Sequence, residues 1–288
     1  MVFILMGSGL IKVLYGVSFI TNPDVISDYS DPNMVNVNRV LLLFQHLGMF
    51  IVPAIAFGML VSTQWSRRLG FNKTRTPLVL AAVIMIVFAL PLINVLAWLN
   101  EQIVFPEFLG GLEQLFTGME DSAAKLTKAL TEQTSPFVLF ANIFTIALIP
   151  ALGEEMIFRG ALIPILKKWT KSVHWGVWIS AILFSAMHLQ FYGFLPRMLL
   201  GAVLGYLFVW SGSIWVPVLA HFANNALALT LIFFMTRGDI EAEVDEFNPQ
   251  MGDFLWVLVS IAVVTASLYY IYKNRVPTQR ETAHPESE

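Results

Sequence analysis

The chain has 288 residues, 57% of them hydrophobic and only 13% charged, with a mean hydropathy of +0.69. A soluble domain carries about 25% charged residues, so the composition reads as a polytopic membrane protein. A net charge of −3 gives no basic field for nucleic acid, and the lack of cysteine excludes disulfides and thiolate metal sites.

About eight apolar segments are long enough to cross or nearly cross a ~30 Å hydrocarbon layer, which predicts an all-α membrane helix bundle. The first covers residues 2–20 and contains Lys12, which snorkels or faces the bundle. No basic stretch precedes it, so a cleaved signal peptide is not expected. A loop with Asp24, Asp28 and Asp31 follows. The second segment, 39–63, carries His46 and a proline, Pro53, that predicts a kink. A basic loop (Arg67, Arg68, Lys73, Arg75) leads to the third, 77–99.

Residues 100–135 change character. They hold Glu101, Glu107, Glu113, Glu120, Asp121 and Glu132, with Leu112, Leu115, Phe116, Met119, Ala123, Leu126 and Leu130 at helical spacing. One or two amphipathic helices are expected, lying on the membrane surface or capping the bundle. A lid and a solvated linker are both open readings.

The fourth segment begins near Pro136 and ends at Lys167, Lys168 and Lys171. Pro150 predicts a bend four residues before Glu154. The fifth covers 174–189. The sixth, 194–210, has Gly201 and Gly205 on one face for close helix approach. The seventh, 214–235, has Pro217 in its first turn. An acidic loop, 239–246, precedes the eighth, 254–272, and a polar tail expected to be disordered. The chain divides into N-terminal helices and an amphipathic segment (1–135), a chemistry-bearing unit (136–236), and a last helix with tail (237–288). Loops after segments two, four and eight are basic, and those after three and seven acidic, which places both termini in the cytoplasm.

Chemistry concentrates in Gly153-Glu-Glu-Met-Ile-Phe-Arg-Gly160, inside an apolar run. A charge in hydrocarbon costs roughly 2.5–3.5 kcal/mol on insertion scales, so such groups pair or react. Glu155 and Arg159 are four apart, on one face and in the favourable order for an ion pair. Glu154 points ~140° away from Arg159 and has no partner on its own helix. Either Glu155–Arg159 is a clamp and Glu154 a free carboxylate, or all three form one static ion network.

Two further polar sets sit in apolar surroundings. His188 ends Phe184-Ser-Ala-Met-His188, and His221 begins His221-Phe-Ala-Asn-Asn225, which puts His221 and Asn225 on one helix face. Glu154 lies 13 residues before Lys167 and His188 lies 14 after His174, so both are ~20 Å from one membrane side. His221 and Asn225 fall ~12–18 Å in from that side, counted from Ser213. A carboxylate and a histidine at one depth can deprotonate a water, and a second His with an Asn can stabilise an oxyanion. Glu154, His188 and His221 also suit a hydrolytic zinc shell, although no His-Glu-x-x-His run is present. Singly, each histidine reads as an ordinary interhelical hydrogen bond.

The ordered set Glu154-Glu155-Met-Ile-Phe-Arg159, Phe184-x-x-x-His188 and His221-x-x-x-Asn225 resembles the motifs of the type II CAAX prenyl endopeptidases and their bacterial relatives, the CPBP or ABI intramembrane proteases. The resemblance covers about residues 136–236. It implies an eight-helix intramembrane protease in which Glu154 and His188 activate water, His221 and Asn225 form the oxyanion pair, and Glu155, Arg159 and Phe184 support them. It implies no cofactor, with a divalent metal such as zinc as the alternative. The implied partners are the lipid bilayer and a membrane protein or lipidated peptide as substrate, with no nucleic acid. The compact chain looks like a bacterial, inner-membrane member. A non-catalytic scaffold or bacteriocin self-immunity protein is the alternative, and a proton-coupled transporter ranks last.

Overall fold

In the computed structural model, residues 2–18, 20–21, 23–240 and 253–276 are described, and the apolar segments are helices. They are α1 (Val2–Tyr15), α2 (Pro32–Val61), α3 (Thr76–Glu101), α4 (Gly110–Thr131), α5 (Pro136–Thr170), α6 (Val173–Ala186), α7 (Phe194–Ser211), α8 (Trp215–Thr236) and α9 (Asp253–Lys273). No strand occurs among the described residues. Six helices (α2, α3, α5, α7, α8 and α9) are long and apolar enough to cross a membrane, and two apolar helices, in α1 and α6, are shorter. The chain is an all-α integral membrane protein. The acidic stretch 241–246 and the tail with His284 lie outside the described residues.

Two apolar segments are shorter than their hydropathy suggests. α1 stops at Tyr15 rather than at residue 20. α6 stops at Ala186 rather than at 189, and the chain turns through Met187–Gly193 before re-entering helix at Phe194. Fourteen residues of α6 rise only ~21 Å, so this turn lies at the depth of the polar groups rather than at the far surface. Backbone off the helix at such depth needs partners inside the protein, and three side chains supply them. Asn100 Nδ2 donates to Phe191 O at 2.8 Å, and Leu195 N–H donates to Asn100 Oδ1 at 2.9 Å. Glu120 Oε1 accepts from Tyr192 N–H at 3.2 Å, and Ser185 Oγ donates to Phe194 O at 2.6 Å. Within residues 100–135 one amphipathic helix forms, α4, after a short 3₁₀ turn, and α4 reaches this re-entrant turn through Glu120.

The prolines act by widening turns rather than by breaking helices. π-turns occur at Leu47–Ile51 in α2 and at Ile143–Leu148 and Met156–Leu162 in α5. Each precedes a proline by two residues: Pro53, Pro150 and Pro164. A proline ring clashes with the carbonyl four residues back and offers no N–H, and a π-turn moves that carbonyl aside. Pro91 in α3 does without one. Glu154 and Glu155 end the regular stretch Ile149–Glu155 between the two π-turns of α5.

The main core joins α3, α7, α8 and α9 through Ala82, Met85, Leu204, Leu207, Ala220 and Ile271. A second joins α2, α5 and α8. Gly201 and Gly205 do set α7 against α6: a Cβ at Gly201 would meet Phe184 at 3.1 Å, and one at Gly205 would meet Val177 at 2.9 Å. Beneath the polar groups, Phe50, Phe158 and Phe184 form a buried aromatic floor.

Candidate active site

α5 supplies three buried charged groups, with Glu154 4%, Glu155 0% and Arg159 1% exposed. The i,i+4 pair forms as its spacing predicts: Arg159 Nη1 lies 2.8 Å from Glu155 Oε1. Arg159 also donates from Nη2 to Gly201 O at 3.0 Å and stacks over the Phe184 ring at 4.7 Å. One guanidinium therefore ties α5 to α6 and α7. Its charge is matched by Glu155 and one of its donors reaches a carbonyl, while its Nε has no hydrogen-bond partner among the described residues.

Glu154 faces the other way, into a cavity of ≈ 530 Å³. His188, His221 and Asn225 line the same cavity, so groups from α5, α8 and the end of α6 meet there as the depth reckoning implied. His221 Nε2 is 3.8 Å from Glu154 Oε2, and its Nδ1 is 2.9 Å from Glu155 Oε1. A carboxylate can only accept, so Nδ1 carries the hydrogen. Asn224 Nδ2 donates to Asn225 Oδ1 at 3.2 Å, which leaves the Asn225 amide hydrogens for a ligand. Phe184 packs its ring edgewise against both His188 and His221.

The residue that spacing did not place here is His46. It comes from α2, and its Nε2 lies 3.6 Å from Glu154 Oε1. Its Nδ1 is 2.9 Å from Leu42 O. His188 repeats the pattern, with Nδ1 2.8 Å from Phe184 O. A carbonyl oxygen only accepts, so each Nδ1 holds a proton, and Nε2 is the bare nitrogen whenever the ring is neutral. Gly153 makes the approach of α2 possible: a Cβ there would meet Phe50 Cβ at 2.9 Å and Ile51 Cγ1 at 3.0 Å. Arg197, likewise unplaced by spacing, lines the cavity from the first turn of α7 and donates to Gln190 Oε1 at 2.8 Å. Gly193 leaves room for it, since a Cβ there would fall 2.7 Å from Arg197 Nη2.

Among the described residues, no three His, Cys, Asp or Glu side chains are grouped so as to hold a metal ion.

Residues 136–227 match a family model described as Type II CAAX prenyl endopeptidase Rce1-like. Two curated bacterial proteins are similar over the same order of length. "Uncharacterized protein YpbD" of Bacillus subtilis (strain 168) is 28% identical over 111 residues, 37% of this chain and 51% of that protein. "Uncharacterized 24.3 kDa protein" of Escherichia coli is 29% identical over 110 residues, 36% of this chain and 49% of that one. The chain thus spans about half the length of the curated relatives it matches. No solved structure matches it. All three motifs fall inside the matched residues, so the likeness to a CPBP-type protease stands, whereas His46 lies outside them.

Proposed function

Taking that likeness as the premise, we propose that the chain is an intramembrane endopeptidase. It hydrolyses a peptide bond of a membrane-associated or lipidated protein with an activated water. The observation that carries this reading is Glu154, a buried carboxylate on a cavity wall with an imidazole nitrogen beside each of its oxygens.

In this reading Glu154 and the bare Nε2 of His188 take the proton of a water held between them, the task of a general base. The oxygen adds to the scissile carbonyl, and the developing oxyanion is met by His221 and Asn225. Because Nδ1–H of His221 is committed to Glu155, His221 donates from Nε2 only as an imidazolium. Glu155 holds that ring, and with Arg159 it joins four helices, α5 to α8. The apolar part of the wall, including Leu42, Ile93, Leu200 and Leu229, suits a lipid-embedded or lipidated substrate. The reaction needs no metal in this scheme, and the proposed setting is a bacterial inner membrane with both termini in the cytoplasm.

The test compares new protein N-termini in membranes of cells expressing wild type, Glu154→Ala or Glu155→Ala at matched levels. Cleavages present with wild type and lost with Glu154→Ala, and retained by purified enzyme in chelator, are expected. An identical set in all three would replace this reading with a scaffold or self-immunity role.

A further inference from the structure

We propose that His46 is the proton store of Glu154, a relay and positioning residue supplied by the N-terminal half of the chain. The inference rests on the endopeptidase reading and extends its machinery beyond residues 136–227.

Three observations carry it. First, Nε2 of His46 faces one oxygen of Glu154 at 3.6 Å, while Nε2 of His221 faces the other at 3.8 Å. These distances are somewhat long for hydrogen bonds, as catalytic contacts often are before substrate tightens them. Second, the ring is fixed. Nδ1 is held by Leu42 O, the ring lies on Phe50 at a centroid distance of 5.6 Å, and Phe50 is buried in the aromatic floor. Third, the helix contact that delivers it is built with little tolerance. The π-turn Leu47–Ile51 starts at the residue after His46, and Gly153, the neighbour of Glu154, is the residue it packs on.

The chemistry requires a place for one proton. When water adds to the carbonyl carbon, a C–O bond forms and its proton goes to Glu154. A protonated Glu154 can hand that proton from Oε1 to His46 Nε2, which becomes an imidazolium, and Glu154 is again a carboxylate. When the C–N bond breaks, the proton returns through Glu154 to the departing amine nitrogen. One water is consumed, one acid and one amine form, and no other reactant is needed. The other charged or titratable groups around Glu154 are Glu155 and Arg159 on α5, His188 after α6, Arg197 on α7 and His221 on α8. Ile93 of α3 and Thr127 of α4 line the cavity too, and neither titrates.

The experiment uses the full-length enzyme in detergent, with a cleaved peptide identified as above and the same peptide carrying a thioester at the scissile bond. An amine must be protonated to leave, whereas a thiolate leaves unaided. His46→Gln and His46→Phe are measured beside wild type and Glu154→Gln, with kcat, KM and the pH profile of kcat recorded and melting temperature as a check on folding. Loss of ~10²-fold or more in kcat on the amide, little change in KM, loss of one limb of the pH profile and near wild-type thioester cleavage are expected. Equal losses on amide and thioester would reduce His46 to a strut for Glu154 and overturn the relay. Wild-type kcat in both His46 variants, with Glu154→Gln inactive, would overturn this assignment alone. Wild-type kcat in Glu154→Gln would overturn the endopeptidase reading itself.

Discussion

His221 Nδ1 and Arg159 Nη1 converge on a single oxygen: both lie within 2.9 Å of Glu155 Oε1. The second glutamate of the pair is thus the junction between the buried guanidinium and the ring that faces Glu154. Replacing Glu155 by Gln leaves Arg159 as a buried charge without its counter-ion, a change that costs about 3–5 kcal/mol. Glu155→Gln is expected to lower the melting temperature sharply. Glu155→Met with Arg159→Met is expected to recover much of it, because an apolar pair can replace a buried ion pair. The doubly substituted protein should not cleave substrate, since His221 loses its acceptor there, whereas Glu155→Gln keeps a carbonyl acceptor for its Nδ1–H. Thermal unfolding in detergent of wild type, Glu155→Met, Arg159→Met and the double variant checks this, and an additive cycle would show that the two groups do not interact.

Glycine contacts give a cleaner stability comparison. A Cβ at Gly160 would fall 2.7 Å from Leu69 O and 3.3 Å from Leu69 Cα, and backbone cannot swing away as a side-chain tip can. Gly160→Ala is expected to cost about 1–3 kcal/mol as overpacking. Gly118 sits on the exposed part of α4 with nothing within 4 Å of a Cβ. Gly118→Ala is expected to gain about 0.5–1 kcal/mol from lower backbone entropy in the unfolded chain. Melting curves of the two variants should move in opposite directions.

The re-entrant turn offers a local test. Asn100 is 2% exposed and pairs with both Phe191 O and Leu195 N–H. Asn100→Leu orphans one acceptor and one donor, each worth about 1–3 kcal/mol when buried and unpaired. Hydrogen exchange is expected to quicken between residues 189 and 195 while α3 and α9 keep their protection. Because His188 enters that turn, kcat should fall with it. Unchanged exchange in the turn would mean that Ser185 and Glu120 hold it without Asn100.

Why His46 was hidden while Glu154, His188, His221 and Asn225 were legible is a matter of what spacing records. His221 and Asn225 share a helix face at fixed separation, and Glu154 and His188 can be counted inward from basic or polar helix ends. His46 has no polar residue at the neighbouring helical positions to announce it. Counted from Arg67, it sits ~31 Å in; counted from Val61, where α2 ends, it sits ~22 Å in, close to the depth of Glu154. The sequence holds that signal only once the helix end is known, and Ser62, extended at φ −160°, does not announce it. The turn at 187–193 was hidden for a related reason. Hydropathy registers Met187 and Leu189 as apolar, but it does not register that Leu189 adopts a φ of +56° and that partners from α3 and α4 satisfy the bent backbone. The bundle itself was readable because the six membrane-crossing helices are long and apolar enough to declare themselves.

Glu120 makes the attachment of α4 depend on pH. Burial pushes its carboxyl above the ordinary carboxylate value, against the opposing pull of the Tyr192 and Gly193 N–H groups and the Arg197 charge. The folded chain therefore holds a proton that the unfolded chain has already released. The stability this group contributes is present below the ordinary carboxylate value and is lost as pH rises through its raised one. Hydrogen exchange in residues 110–131 should quicken over that rise, while the sites in α9 keep a constant opening free energy. Glu120→Gln keeps a carbonyl acceptor for Tyr192 N–H and has nothing to titrate, so its opening free energy in α4 should be flat over the same range. A pH dependence that survives in Glu120→Gln would assign the effect to another group.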